Sequence, residues 1–227
     1  MCLPFAGGAA GYFRHLSAAL TPDVEVLAVQ YPGRQDRRGE PVITDLRALA
    51  DEVFVALRPL VDAPIALFGH SMGASVGFEV VRRFEEHGLP SPLALLVSAR
   101  GAPSLPARRK VHGLDDDGIV AELTALGGTD PAVLADPELR AMVMPALRGD
   151  YQAAEGYQAP TEGAVVDVPI VALAGDSDPR VSVDDVAAWQ DHTRGAFRME
   201  VFPGGHFYLS DCVPDVAAQI RSVLLSR

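Results

Sequence analysis

The sequence predicts an α/β fold, with a mostly parallel central sheet, helices on both faces and an inserted helical lid. Three observations carry this. Short apolar runs such as Leu93-Ala94-Leu95-Leu96-Val97-Ser98 and Val168-Pro169-Ile170-Val171-Ala172-Leu173-Ala174 alternate with stretches of helical period. Strands alternating with helices imply parallel pairing through crossovers. The run Gly69-His70-Ser71-Met72-Gly73 joins one apolar run directly to one helical pattern. Residues 104 to about 162 hold no buried-strand pattern, only amphipathic stretches broken by Gly127-Gly128, Asp130-Pro131 and Asp136-Pro137. The 227 residues suit a single domain, 1–227, with that insertion.

Taken in order, Met1-Cys2-Leu3 reads as the end of a strand entering the loop Pro4-Phe5-Ala6-Gly7-Gly8. Its spacing fits neither the P-loop nor the dinucleotide pattern, and no lysine follows. Phe13 to Leu20 predicts a short helix and Val24 to Val29 a strand, ending in the turn Tyr31-Pro32-Gly33-Arg34. Thr44-Asp45 opens a helix through Leu60, with Leu46, Leu49, Val53 and Leu57 as its apolar stripe. The strand Ala63 to Phe68 leads to Ser71. The helix after it, with Val76, Val80, Val81 and Phe84 on one face, ends near Gly88. Beyond the lid and the strand at 168–174, Val183 to His192 predicts a helix with Trp189 in the core. Phe197 to Phe202 is the last strand, and Val213 to Leu225 the closing helix.

Composition narrows the function. Apolar content of 48% and charged content of 22% are those of a globular chain. A formal net charge of −11 argues against nucleic acid and against anionic membranes as partners. Cys2 and Cys212 cannot build a disulfide framework and fit a reducing compartment. No signal peptide and no apolar run near 18 residues stands out, so a cytoplasmic protein, free of any membrane, is expected.

The chemistry concentrates at loops after strands. A serine flanked at two residues on either side by glycine, at a strand-to-helix turn, is a nucleophile elbow. Large side chains at 69 and 73 would not fit so tight a turn, and the helix that follows turns its N-terminus toward any negative charge developing at Ser71. Ala6, with Met72, would supply the backbone N–H pair of an oxyanion hole. A carboxylate just past the 168–174 strand is placed for an acid partner. Asp176 and Asp178 both qualify; Asp178, the fourth residue of Gly-x-x-Asp and stiffened by Pro179, is the candidate, and Asp176 suits a turn hydrogen bond. His206, in the loop Pro203-Gly204-Gly205-His206-Phe207, completes the order Ser71, Asp178, His206. Met142, Met144, Leu147, Tyr151 and Tyr157 of the lid are candidates for an apolar tunnel. His15, His70, His87, His112 and His192 share no ligand spacing, so no metal is expected.

With these pieces in place, the sequence resembles the type II thioesterases, the discrete editing thioesterases of polyketide and nonribosomal peptide synthesis, which are α/β-hydrolases. The resemblance spans nearly the whole chain. It rests on Leu3-Pro4-Phe5-Ala6-Gly7-Gly8, Tyr31-Pro32-Gly33-Arg34 with Glu40-Pro41, Gly69-His70-Ser71-Met72-Gly73, Leu147-Arg148-Gly149-Asp150-Tyr151, Gly175-Asp176-Ser177-Asp178-Pro179 and Pro203-Gly204-Gly205-His206-Phe207-Tyr208. The chain departs from the family in starting almost at the oxyanion loop and in carrying Phe5 where many relatives have a polar residue, often histidine. The resemblance implies hydrolysis of acyl groups from the phosphopantetheine arm of acyl or peptidyl carrier proteins. Ser71, Asp178 and His206 would be catalytic, Ala6 and Met72 the oxyanion donors, and Phe5, Met142, Met144, Tyr151 and Phe207 substrate-binding. No cofactor is expected beyond the phosphopantetheine that the substrate itself carries. The carrier would dock transiently, on Arg34, Arg37 and Arg38 or on Arg108, Arg109 and Lys110, and the enzyme would act as a monomer. An esterase acting on oxygen esters, or a chain-terminating cyclase, would use the same three residues.

Overall fold

The computed structural model describes residues 1–60, 63–128, 131–160 and 163–225. Among them five strands form one parallel sheet in chain order: β1 (Cys2–Leu3), β2 (Leu67–His70), β3 (Leu95–Ser98), β4 (Ile170–Gly175) and β5 (Phe197–Phe202). Side chains alternate between the faces, as strand geometry requires. Leu67, Leu95, Val97, Ile170 and Ala172 join one core, shared with α2 (Leu46–Leu57), α3 (Met72–Glu86) and Trp189. Phe68, Leu96, Val171 and Leu173 join the other, under α1 (Arg14–Leu20) and α8 (Val213–Leu225). Burial on both faces explains why these strands read as continuous apolar runs.

Two expectations for strands change. Val24 to Val29 is not a ladder strand; it meets the sheet at a single parallel bridge, Ala28 to Cys2, flanked by Cys2 N–H to Leu27 O (2.7 Å) and Val29 N–H to Cys2 O (2.9 Å). Its partner β1 is only two residues long, so no longer pairing can form. The strand expected over Ala63 to Phe68 starts later, at Leu67, and runs on to His70.

Between β3 and β4 lie α4 (Asp116–Leu126), α5 (Pro131–Ala135) and α6 (Pro137–Gly156). Gly127 (φ 77°) caps α4 in the left-handed region, as the Gly-Gly break predicts. Asp136 caps α6 by accepting from Glu138 and Leu139 N–H, with Pro137 in its first turn. Asp130, in the second expected break, and residues 161–162, at the end of the expected lid, lie outside the described residues. The helices are not uniformly short. α6 has 20 residues and continues through Pro145. It is held in two cores: Met144 and Leu147, at its middle, pack with Val111, Ile119, Leu123 and Leu134 in a small separate core, whereas Ala153 and Ala154, near its C-terminus, enter the main core. No helix among the described residues is long and apolar enough to cross a membrane.

Candidate active site

Ser71 sits between β2 and α3 at φ 53°, ψ −118°, a strained conformation for a residue with a side chain. The surroundings allow no larger neighbours. A Cβ on Gly69 would lie 2.2 Å from Gly73 O, and one on Gly73 would lie 2.0 Å from Leu3 O. The Ser71 N–H donates to Ser98 O at 2.7 Å, tying the turn to the end of β3.

The loops after β4 and β5 deliver the other two groups. His206 Nε2 is 3.0 Å from Ser71 Oγ, and its Nδ1 is 2.7 Å from Asp178 Oδ2. The Asp178 side chain is 1% exposed, and its Oδ1 accepts the N–H groups of Arg180 (2.8 Å) and Val181 (3.2 Å). Asp176 has a different task. It accepts from Ser177 Oγ–H and Gly204 N–H, bonds that hold its carboxyl below the usual range and stitch the two loops together. Ser177 N–H to Gly204 O, 3.0 Å, adds a second stitch. The structure therefore brings Ser71, His206 and Asp178 into one hydrogen-bonded chain and leaves Asp176 off it.

A second imidazole lies beneath. His70 is fully buried, its ring centroid 5.6 Å from that of His206. Its Nδ1 is 2.9 Å from Ser98 Oγ, which is 2.6 Å from Tyr208 OH. Burial, then the nearby His206, pulls its pKa well below the ordinary value, so it stays neutral. Sequence spacing alone had set His70 apart only as a non-ligand; its place inside the elbow was the available signal.

In the loop after β1, Gly8 N–H donates to Phe5 O at 2.9 Å, while the Ala6 N–H makes no hydrogen bond among the described residues. The Met72 N–H, at the first position of α3, is left free by helix geometry. Asp150 of α6 accepts from Gly7 N–H (2.7 Å) and pairs in fork fashion with Arg34. Arg34 is 8% exposed, and its guanidinium is committed to that pair; Arg37 is tied to Glu40 and to Gln30 O. The expected docking role for Arg34 is thereby corrected.

Ser71, His206, Ala6 and Met72 open on a cavity of about 330 Å³. Phe5, Tyr151 and Phe207 are in its wall, and Phe5 and Phe207 stack edge-to-face at 4.8 Å. Burial raises the Tyr151 phenol to about 12, so it remains a neutral hydroxyl. Met142 and Met144 are not in the wall. Met144 fills the small core under α4, and Met142, two residues away and so on the opposite side of the helix, is 52% exposed. Leu147 and Tyr157 also lie elsewhere, Leu147 in that core and Tyr157 in the main core with its OH on Glu79. Sequence reasoning missed the polar part of the wall, Arg100, Glu122, Glu155 and Arg180. Glu122 is buried and paired with Arg180, two positions past Asp178. No sequence period marks such a pairing between a helix and a distant loop. Among the described residues no group of three or more histidine, cysteine or acidic side chains is placed to hold a metal.

A parallel α/β sheet presenting a serine, an imidazole and a carboxylate in this chain order, with the serine at a strand-to-helix elbow, defines the α/β-hydrolase class. The thioesterase domain family matches residues 1–224, and the chain belongs to that family of hydrolases. It is 47% identical over 226 residues to thioesterase PikA5 of Streptomyces venezuelae, covering 99% of this chain and 80% of that protein. It is 44% identical over 224 residues to a probable cadicidin biosynthesis thioesterase of Streptomyces griseus, covering 99% of this chain and 62% of that one. Among solved structures, the type II thioesterase BorB of the borrelidin biosynthetic cluster superposes with a TM-score of 0.90 at 50% identity, covering 98% of this chain and 91% of BorB.

Proposed function

We propose that this protein is an editing thioesterase that hydrolyses acyl groups from the phosphopantetheine arm of carrier proteins in polyketide or nonribosomal peptide synthesis. The observation that carries the chemistry is the Ser71 Oγ to His206 Nε2 contact of 3.0 Å at the mouth of the cavity. Ser71 Oγ attacks the thioester carbonyl as its proton passes to His206 Nε2. Asp178 orients the imidazole and stabilises its charged form. The Met72 and Ala6 N–H groups hold the oxyanion of the tetrahedral intermediate, and the α3 N-terminus adds its dipole. Collapse expels the thiolate, which takes the proton from His206 and leaves acyl-Ser71. Water then attacks that ester, giving its proton to His206; collapse returns the proton to Ser71 Oγ and frees the acid. No cofactor enters these steps.

The helical segment over the cavity serves as the lid, and Phe5, Tyr151 and Phe207 contact the acyl chain. Cys2 and Cys212, buried and free, fit a reducing cytoplasmic setting. The enzyme works as a monomer and meets the carrier transiently at the rim formed by Arg108, Arg109 and Lys110. Arg108 and Arg109 belong to the cavity wall and have side chains 68% and 57% exposed, so both the cavity and solvent reach them.

The test is release of free acid from a panel of acyl groups on phosphopantetheinylated carrier protein. Broad release that is lost in Ser71→Ala supports the reading. Turnover of matched oxygen esters without turnover of acyl-carrier replaces it with an esterase, and a cyclic product replaces it with a terminating cyclase. Arg108→Glu with Lys110→Glu is expected to raise KM for acyl-carrier and leave small thioesters unchanged; an equal rise on both removes the docking assignment.

A further inference from the structure

We infer that the buried Arg34–Asp150 pair is a positioning device that sets the direction of the Ala6 N–H, and that it makes α6 part of the oxyanion hole's support. This rests on the oxyanion role proposed above for Ala6. The residues from Phe5 to Gly8 form a tight turn closed by Gly8 N–H to Phe5 O, 2.9 Å. In a planar trans peptide the Phe5 C=O and the Ala6 N–H point in opposite directions. With Phe5 O turned inward to Gly8, the Ala6 N–H faces away from the turn.

Two further polar groups of that turn, Gly7 N–H and Gly8 O, are held by the pair. Asp150 Oδ2 accepts from Gly7 N–H at 2.7 Å and from Arg34 Nη1, and Oδ1 accepts from Nη2 at 2.8 Å. Arg34 Nη1 also reaches Gly8 O at 3.4 Å, while Nε and Nη2 donate to Pro32 O at 3.2 and 3.1 Å. Gly7 itself is at φ 77°, and a Cβ there would lie 2.2 Å from Leu147 of α6. One side of α6 thus both touches and hydrogen-bonds the loop. A buried ion pair is weak as a stabiliser, since apolar residues of similar size often serve as well. Here it supplies what apolar residues cannot: a fixed acceptor for Gly7 N–H and a fixed donor for Gly8 O. Oxyanion donors work only when held in place before the charge develops.

The experiment uses the full chain with Asp150→Asn, a small acyl thioester and its matched oxygen ester, and a boronic acid that forms a tetrahedral adduct with a serine. Asn has one acceptor oxygen where Asp has two: with that oxygen on Gly7 N–H and Arg34 Nη1, its NH2 faces Nη2 and the fork is broken. The expected result is a kcat at least about 10-fold lower on both substrates, bounded by the ~10³-fold cost of losing an oxyanion donor. Boronate affinity should fall in step, with KM and the acid limb of the kcat/KM profile little changed at temperatures where the variant is folded; its melting temperature falls, because Arg34 is left as a buried, unpaired charge. A folded variant with native kcat and boronate affinity, or one in which only KM rises, overturns the inference. Should Asp150→Asn not fold, Arg34→Lys carries the same test, since it keeps the charge but cannot span both carboxylate oxygens and Gly8 O. Native turnover of the ester without the thioester would remove the thioesterase reading while leaving this inference open to the same comparison.

Discussion

At Ser71 three independent features converge on one oxygen: a strained backbone, an imidazole at 3.0 Å and the N-terminus of α3. Ser71→Ala and His206→Ala should lower kcat by on the order of 10⁴–10⁶ on any thioester. Asp178→Asn should lower it by roughly 10⁴, since the imidazole loses its oriented tautomer. Asp176→Asn, which touches only the loop stitches, should stay within about tenfold, because the Asn carbonyl oxygen still accepts both bonds, now without the charge, and such exposed bonds are of modest net worth. Steady-state kinetics on the two aspartate variants tells them apart, and the reverse ranking would reassign the acid. His70 bears on stability through its buried, neutral state. Its folded pKa is depressed by burial, while the unfolded imidazole titrates near its ordinary value of 6.5. Below that pH the unfolded state binds the extra proton, so the stability His70 contributes is full above about pH 6.5 and is lost as pH falls. The slope reaches at most about 1.4 kcal/mol per pH unit. Urea unfolding between pH 7.5 and 5.5 should show this decline in the native chain and a smaller one in His70→Asn. The places of Asp178 and Ser71 in turns that follow strands were legible in the residues, because Gly-x-x-Asp and Gly-x-Ser-x-Gly encode local turns. The neutral state of His70 was not, because it depends on Ser98 at the end of β3 and on His206 and Tyr208 from the loop after β5.

Among the elements, the β2–α3 junction has the least freedom. Gly73→Ala would drive a Cβ to 2.0 Å from Leu3 O, which backbone on both sides cannot relieve, so a loss above about 4 kcal/mol or failure to fold is expected. Asp136→Ala removes only the N-cap of α6 and should cost about 1 kcal/mol in thermal unfolding. Helix caps, apolar stripes, the buried strands β3 and β4 and the more exposed edge strand β5 could be read directly, since each is a local pattern. The Val24–Val29 segment has a strand's composition and makes one bridge, because pairing needs a partner and β1 supplies two residues. The length of α6 was also hidden. Pro145 removes one hydrogen bond from the helix, but packing into two cores carries the helix through it.

For the whole molecule, charge decides how a partner approaches. The chain carries a net −11, and an acidic carrier would be repelled at long range, leaving the rim at Arg108, Arg109 and Lys110 as the local attraction. Neutralising that rim with Arg108→Gln and Lys110→Gln should raise KM for acyl-carrier and flatten its dependence on ionic strength between about 0.05 and 0.2 M, leaving a small acyl thioester unaffected. A salt dependence identical to the native chain's would place docking elsewhere. Arg34 shows why charge along the sequence misleads. It sits beside Arg37 and Arg38 in the chain but points inward to Asp150, 116 residues away. The same holds for the cavity, where three of the five side chains expected to contact substrate line the wall and the two methionines do not. The sequence by itself determined the α/β class, the parallel sheet, the elbow and the order of serine, aspartate and histidine, all carried by short-range patterns of turn residues and apolar period. Only the tertiary structure decided which charges are buried in pairs, which face of α6 meets the oxyanion loop and what lines the cavity. Those depend on contacts between segments far apart in the chain, and no local period records them.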